Sequence, residues 1–127
     1  MSQKQYEWFD EYCKSKKGVI KDYKIEWEAY RYMIGGKMFV MHGKDKEGKE
    51  ILTLKLEPMH GQFLREQYKG NIIAGYYMNK DHWNSVYVDG NVPDDVLRDM
   101  ADKSYELVLQ SLSKKMQNEV LRGQEND

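Results

Sequence analysis

The sequence contains one cysteine and two prolines, and it has no long hydrophobic run. A single cysteine excludes an intramolecular disulfide and any zinc site built from several cysteines, and it fits a reducing compartment. The longest apolar stretches, such as residues 72–74, fall far short of the ~20 residues that a membrane-spanning helix needs. The N-terminal segment also lacks the apolar core of a secretory signal peptide. These absences favour a soluble, cytoplasmic protein with no membrane contact.

The chain also lacks an excess of charge of either sign. It carries 20 lysines and arginines against 21 aspartates and glutamates, for a formal net charge of -1. This balance excludes a histone-like polycation, so any nucleic-acid site must be a local patch. What the chain does have is core-forming material, because 40% of its 127 residues are hydrophobic and 13% are aromatic. We expect one domain over residues 1–122 and a flexible tail at residues 123–127.

The spacing of apolar residues predicts both helices and strands. Two consecutive glycines, Gly35 and Gly36, accept the positive φ angles of a two-residue loop and therefore predict a β-hairpin. We predict an α+β fold in which a mostly antiparallel five-stranded sheet packs with three helices, in the order α-β-β-β-α-β-β-α. The expected elements are a helix over 3–16, strands over 25–34, 37–42 and 51–56, a helix over 58–70, strands over 72–77 and 83–88, and a helix from 93 to about 121.

Known catalytic motifs are missing from the sequence. The Gly36-Lys37 pair lacks the hydroxyl residue and the helix that complete a phosphate-binding loop, and the three histidines lack zinc-ligand spacing. Ser104 falls on the apolar stripe of the last helix, where we expect a small, locally bonded hydroxyl. Cys13 falls on the apolar stripe of the first helix, where we expect a buried and inert thiol. We therefore predict no catalytic residue, no metal and no cofactor.

Local charge marks one region as a possible binding site. Residues 35–55 carry five lysines against three acidic residues, whereas residues 93–112 carry two basic residues against five acidic ones. A projecting hairpin with lysines would meet phosphates as a wing does, although a solvated turn explains the same pattern. Exposed tyrosines would equally serve a protein partner, a homodimer or a chaperone-like adaptor. A small-molecule pocket near His82 is a third possibility. The candidate nucleic-acid-binding residues are Lys37, Lys44, Lys46, Lys49, Lys55, Lys80 and His82.

Four segments carry a likeness to a known family: GGKMF at residues 35–39, LKLEPMHGQFLREQY at 54–68, NKDHWNSVYVDGNVP at 79–93, and SYELV at 104–108. Together they resemble the MmcQ/YjbR family over about residues 33–112. The resemblance implies a YjbR-type fold with a double-wing arrangement similar to that of DNA-binding proteins, and DNA binding is the function that it suggests. It brings no catalytic residue and no cofactor.

The resemblance also marks individual positions. The positions that carry over are Lys37, Lys55, Lys80, His82, Trp83 and Ser104. We expect Trp83 and Ser104 to be structural, since a large ring at the start of a strand is usually a core anchor. The sequence departs from the family pattern ahead of the first predicted hairpin, where KIEWEAYRY at residues 24–32 replaces a Pro-Phe-Gly type of stretch. Any site that the family builds from that stretch is therefore not expected here.

Overall fold

A computed structural model describes residues 2–75 and 78–122. The predicted α+β class is confirmed, but this part of the chain forms six strands and four helices rather than five and three. The elements are α1 (Ser2–Lys14), β1 (Ile20–Lys24), β2 (Ala29–Ile34), β3 (Lys37–Lys44), β4 (Glu50–Lys55), α2 (Pro58–Gln67), β5 (Ile72–Ala74), β6 (Trp83–Tyr87), α3 (Asp94–Gln110) and α4 (Lys114–Arg122).

The strands form one sheet in the order β1-β2-β3-β4-β6-β5, and neighbouring strands pair antiparallel throughout. This confirms the predicted antiparallel sheet. Strands β1 and β5 form its two edges. Helix α3 packs against the central strands β3 and β4, α1 packs against α3, and α2 packs beside β5. The core lies between the sheet and these helices.

One face of the sheet supplies most of the core. Tyr32, Val40 and Leu54 lie opposite one another on β2, β3 and β4, and all three are fully buried. Phe9 of α1 and Met100 of α3 pack into the same cluster. The central strands are buried because helices cover them, which is why they read as nearly continuous apolar runs.

The hairpin predicted at Gly35 and Gly36 is confirmed. Both glycines have positive φ, at 54° and 82°, and Ile34 pairs with Lys37 directly across the loop. A residue with a side chain adopts such angles only at a cost, whereas glycine does so readily. The two glycines therefore set the pairing of β2 with β3 next to the loop, and an irregularity between Tyr32 and Met33 shifts the register by one residue farther along.

The strand predicted over residues 25–34 is partly wrong, and β1 was missed. Residues 25–28 form a turn, and only the segment from Ala29 onward is a strand. Strand β1 precedes that turn and pairs with β2 along its whole length, from Ile20 opposite Met33 to Lys24 opposite Ala29. The sequence of β1, IKDYK, has three charged residues and none that is buried, so it carries no alternating pattern to detect.

The single helix predicted from residue 93 to about 121 is also wrong, because it breaks between α3 and α4. The hydroxyl of Ser111 donates to the carbonyl of Val108, and the hydroxyl of Ser113 accepts from the N–H of Met116. Serines that bond to nearby backbone groups compete with helical hydrogen bonds, which favours an end and a new start here. The strand expected over 72–77 is shorter than predicted, because β5 ends at Ala74. Residues 76–77 and the predicted tail at residues 123–127 lie outside the described residues.

Candidate functional site

The seven residues predicted to bind nucleic acid lie at opposite ends of the sheet. Lys44, Lys46 and Lys49 belong to the end of β3 and the loop that follows it, whereas Lys37 begins β3. Seven residue steps of about 3.3 Å separate Lys37 from Lys44 along the strand, or roughly 23 Å. Lys55, Lys80 and His82 lie toward the Lys37 end, since Lys55 pairs with the residue that follows His82. The structure thus brings three of the seven candidates together.

We call the Lys44 side the loop end of the sheet. It consists of the β1–β2 turn at residues 25–28, the β3–β4 loop at residues 45–49, and the strand ends that join them. Both connections lie at this end because β1 and β3 run in the same direction.

Asp45 organises the β3–β4 loop. One of its carboxylate oxygens accepts hydrogen bonds from the backbone N–H groups of Glu47 and Lys49, both at 2.9 Å, and the other accepts from the Tyr87 hydroxyl at 2.9 Å. Partial desolvation raises the pKa of Asp45, but these hydrogen bonds outweigh it and hold the pKa below its ordinary value. Both oxygens of Asp45 are therefore engaged in shaping the loop. The side chains of Lys44, Lys46 and Lys49 are exposed on it.

A cavity of about 350 Å³ lies beside this loop, on the helix-bearing face of the sheet. Two tyrosines form its aromatic wall, with Tyr23 and Tyr30 exposed by 49% and 42% and their ring centroids 4.9 Å apart. Its volume falls within the range of small-ligand sites. The cavity is lined by Tyr23, Glu28, Tyr30, His42, Gly43, Lys44 and Glu50.

His42 and Glu50 form the polar part of that cavity. The Nε2 atom of His42 lies 3.0 Å from a carboxylate oxygen of Glu50, and the imidazole stacks on the ring of Tyr6 with centroids 4.0 Å apart. Burial lowers the pKa of His42 and outweighs the hydrogen bond to Glu50, which raises it. A neutral imidazole therefore donates from Nε2 to Glu50, and Nδ1 is buried without a hydrogen-bond partner. The pair offers a carboxylate acceptor to a ligand.

A charged network behind the cavity fixes the tyrosine wall. Lys21 Nζ donates to Asp10 at 2.7 Å and lies 4.6 Å from the ring centroid of Tyr30. Asp10 also accepts a 2.6 Å hydrogen bond from the Tyr32 hydroxyl. Burial raises the pKa of Asp10, but the hydrogen bonds from Lys21 and Tyr32 lower it by more. The Lys21 ammonium is therefore held by Asp10 inside the protein, and its contact with the Tyr30 ring helps to position that tyrosine.

A second cavity, of about 410 Å³, lies on the other face at the same end of the sheet. Its floor is made of Ala29, Met41 and Gly43, which are buried. The half-exposed indole of Trp27 forms one wall, with the guanidinium of Arg31 5.8 Å from its centroid. Lys44 borders both cavities, since it is the last residue of β3. The loop end therefore combines lysines, aromatic rings and concave surface.

The other sequence candidates have different surroundings. The ammonium of Lys37 donates to the Ser111 hydroxyl at 3.4 Å, and Lys80 is exposed. His82 is partly buried, and its carbonyl accepts a 2.7 Å hydrogen bond from Leu56 N–H. Neither of the two cavities above is lined by Lys80 or His82. The hypothesis of a small-molecule pocket near His82 gains no support from them.

Three other residues that the sequence singled out, Cys13, Ser104 and Trp83, are wholly or partly buried. Cys13 is fully buried, as predicted, and burial raises the pKa of its thiol. Ser104 is fully buried and bonded to the sheet. Trp83 is partly buried rather than part of the core cluster, and its carbonyl accepts a 2.6 Å hydrogen bond from the N–H of Gly75.

Two kinds of site are absent from the described residues. No three histidine, cysteine, aspartate or glutamate side chains among them come together as a metal would require. No helix in residues 2–75 and 78–122 is long and apolar enough to cross a membrane.

Sequence reasoning missed the aromatic half of the loop end. Trp27 and Tyr30 come from residues 24–32, which the sequence analysis treated as a predicted strand and as a departure from the family pattern, and Tyr23 immediately precedes that segment. The signal available was the density of aromatic residues beside a lysine-rich loop, but it required the β1–β2 turn to be placed correctly. Glu50 and His42 meet because they lie near each other across β3 and β4, where Lys44 pairs with Glu50.

The family model for YjbR matches residues 14–107, which include the whole loop end. The chain belongs to the YjbR family. It is 30% identical over 96 residues to the Escherichia coli K12 protein named YjbR, covering 76% of this chain and 80% of that protein. It is also 30% identical over 111 residues to YyaQ of Bacillus subtilis, covering 76% and 91%.

A solved structure supports the assignment of this YjbR-family protein. The crystal structure of Deinococcus radiodurans DR2400, a DUF419 domain, matches with a TM-score of 0.78 and 26% identity, covering 88% of this chain and 84% of that one. These names state a family and no activity, so the likeness establishes family and fold. The double-wing arrangement implied by the resemblance stays a prediction.

Proposed function

We propose that this YjbR-family protein is a non-enzymatic nucleic-acid-binding module that uses the loop end of the sheet. The observation that carries the proposal is the position of three exposed lysines, Lys44, Lys46 and Lys49, beside a cavity walled by Tyr23 and Tyr30. Lysine ammonium groups bind phosphates, and tyrosine rings stack on bases. The two kinds of group are within reach of one nucleotide chain.

Phosphate contact is the first part of the proposed binding. The β3–β4 loop is held by the hydrogen bonds to Asp45, so its lysines are presented without the loop having to order on binding. The Asp45 carboxylate is partly buried and directs its oxygens to these backbone donors and to the Tyr87 hydroxyl. Glu47 opposes the lysines only weakly, since its carboxylate is 4.0 Å from the Lys49 ammonium and both groups are largely exposed. From Lys44 to Lys49 the exposed charged side chains are therefore three lysines and one carboxylate, that of Glu47.

Base contact is the second part. An unpaired base that enters the 350 Å³ cavity would lie against the tyrosine wall, with the Glu50 carboxylate available to accept from an exocyclic amine. Base–aromatic stacking contributes about 1–3 kcal/mol per base and tolerates any sequence. A paired base would first have to leave its stack, at a cost of roughly a few kcal/mol. The proposed ligand is therefore single-stranded rather than duplex nucleic acid.

The remaining candidates, Lys37, Lys55, Lys80 and His82, take no part in the proposed surface because they lie toward the opposite end of the sheet. This separation supplies a matched control. Replacing Lys44, Lys46 and Lys49 with alanine and replacing Lys37, Lys55 and Lys80 with alanine both remove three positive charges.

The test is a fluorescence anisotropy titration of a labelled single-stranded oligonucleotide with both triple variants. Binding should fall as salt rises, with a slope in log K against log salt of about -0.7 per phosphate contact. The loop-end triple variant should lose most of its affinity and about two units of slope, whereas the opposite-end variant should bind like the unmodified protein. Equal losses in the two variants, or no binding by the unmodified protein at low salt, would overturn the proposal.

A second candidate function, interaction with a protein partner, is favoured by a separate observation. Five large hydrophobic side chains that are exposed lie between residues 20 and 30, in the β1–β2 hairpin. Exposed aromatic and aliphatic side chains gathered on one hairpin mark a protein-binding surface. These residues are Ile20, Tyr23, Ile25, Trp27 and Tyr30.

A further inference from the structure

Strand β1 is an edge strand with an apolar, exposed border. Ile20, its first residue, is 68% exposed, Tyr23 within it is 49% exposed, and Ile25, which directly follows it, is 73% exposed. An edge strand carries a row of backbone N–H and C=O groups that no neighbouring strand satisfies. Pairing with another strand would satisfy these backbone groups and would cover the exposed isoleucines.

The usual protection of an edge strand is weak here. Natural edges are commonly guarded by lysines that point outward. Lys21 does not serve this purpose, because its ammonium is bonded to Asp10 and to the Tyr6 hydroxyl, at 2.7 Å and 2.9 Å. Lys24 remains, with its ammonium 3.9 Å from Glu26. One partly paired lysine leaves the edge open to a strand of complementary charge.

We infer that β1 pairs antiparallel with β1 of a second copy of this chain, with Tyr23 at the two-fold axis. The inference rests on the second candidate function and names its partner. It extends the six-stranded sheet into a continuous sheet shared by two copies. Such an interface is isologous, so each contact occurs twice.

The charge pattern of β1 selects this register. A two-fold axis perpendicular to the sheet places one residue opposite itself, and like charges directly opposite are destabilising. Centring the pair on Lys21, Asp22 or Lys24 puts a like-charged pair on the axis. Centring it on Tyr23 puts Asp22 opposite Lys24 of the partner subunit, twice, and the two tyrosine rings opposite each other.

Side-chain positions within one copy agree with this arrangement. Asp22 and Lys24 lie on the same face of β1, since they alternate with Tyr23 along the strand. Asp22 accepts from Arg31 at 2.6 Å and 2.9 Å and so is held in place. In the dimer, Asp22 and Lys24 therefore form two pairs of opposite charge, one on each side of the two-fold axis.

The size of the interface sets its strength. Two paired strands of five residues bury less than the roughly 1,200 Å² of a stable interface, so the dimer should be weak and concentration-dependent. Sedimentation velocity over a range from micromolar to millimolar protein should show a shift from monomer to dimer. The variant Lys24→Glu, which places like charges opposite Asp22, should weaken the dimer. A protein that stays monomeric up to ~1 mM would overturn the inference.

Disulfide trapping tests the register itself. Residues directly opposite in antiparallel strands have Cα atoms about 4.5–5.5 Å apart, within the range that a disulfide spans. The variant Tyr23→Cys should form a covalent dimer under mild oxidation. Asp22→Cys and Lys24→Cys should each crosslink poorly alone but form a heterodimer when mixed. The unmodified protein is the control, because its single Cys13 is buried.

The outcomes separate the two proposals. Equal crosslinking by Asp22→Cys and Tyr23→Cys would overturn the Tyr23-centred register. Replacing Lys44, Lys46 and Lys49 with alanine should abolish nucleic-acid binding and leave the crosslinking of Tyr23→Cys unchanged. A protein that crosslinks but binds no oligonucleotide would contradict only the nucleic-acid proposal.

Discussion

The hydroxyl of Ser104 on α3 donates a 2.6 Å hydrogen bond to the carbonyl oxygen of Phe39 on β3. The Ser104 hydroxyl oxygen also accepts a 2.9 Å hydrogen bond from the backbone N–H of Lys55 on β4. The β3–β4 register ends at Val40 opposite Leu54, and one further step would place Phe39 opposite Lys55. The serine side chain therefore bridges the two strands where their ladder ends, and it ties α3 to both.

This bridge predicts a large effect of a small substitution. Ser104→Ala removes the bonds to two backbone groups in a fully buried environment, and an unsatisfied buried group costs about 1–3 kcal/mol. We expect the free energy of unfolding to fall by about 2 kcal/mol or more, measured by denaturant titration. Ser111→Ala is the control, since Ser111 is exposed and its variant should change stability by less than about 0.5 kcal/mol. Similar losses in the two variants would contradict a bridging role.

The two glycines of the β2–β3 loop should differ in their tolerance of alanine. Both have positive φ, which costs a non-glycine residue about 1–2 kcal/mol. A Cβ on Gly35 would also lie 2.8 Å from Leu112 and 2.9 Å from Met116, whereas a Cβ on Gly36 would meet nothing within 4 Å. Thermal unfolding should therefore show Gly35→Ala to be less stable than Gly36→Ala by about 1–3 kcal/mol. Equal melting temperatures would show that α4 does not pack on this loop.

The burial of His42 predicts a pH dependence of stability. Its pKa is lowered in the folded state, chiefly by desolvation, so the unfolded chain takes up a proton first as the pH falls. The stability contributed by the neutral imidazole is complete above the unfolded pKa of about 6.5 and is lost as the pH falls through the lower folded value. The free energy of unfolding should decline from pH 7.5 to pH 5 more steeply than in His42→Phe. Parallel declines in the two proteins would rule out this linkage.

The cavity beside the β3–β4 loop predicts a preference for unpaired bases. Tyr30→Leu removes a stacking ring and should weaken binding of a single-stranded oligonucleotide by roughly 10-fold, while duplex binding changes little. Phe63→Leu is the matched control, because Phe63 is an exposed aromatic residue on α2, away from the loop end. Anisotropy titrations of both variants measure the effect. An equal loss for single strands and duplexes would show that bases do not enter the cavity.

Features that depend on neighbours in the chain were predictable from the sequence. Gly35 and Gly36 specify their hairpin through backbone angles alone, and the apolar stripe that includes Met100 specifies α3. Strand β1 was not predictable, because IKDYK gains its place by pairing with β2 rather than by burying a face. The break at Ser111 was missed because local hydroxyl bonds overrode a continuous apolar spacing.

The candidate site was harder to predict than the fold. The lysines were identified by composition, but their division between two ends of the sheet follows from the strand register. Lys37 and Lys44 are seven residues apart in sequence and lie at opposite ends of β3 because an extended strand separates them. The pairing of His42 with Glu50 depends on the β3–β4 register in the same way. Tertiary placement, rather than residue type, therefore determines which charges act together.

The most direct measurement is a map of backbone amide chemical shifts during titration with a single-stranded oligonucleotide. The account predicts that the largest changes fall on residues 43–50 and on Tyr30, with Lys37 and Lys80 unaffected. Salt should reverse these changes, because phosphate contacts release counterions. Changes centred on Lys37, Lys55 and Lys80, or none at any residue, would contradict the claim that the loop end binds nucleic acid.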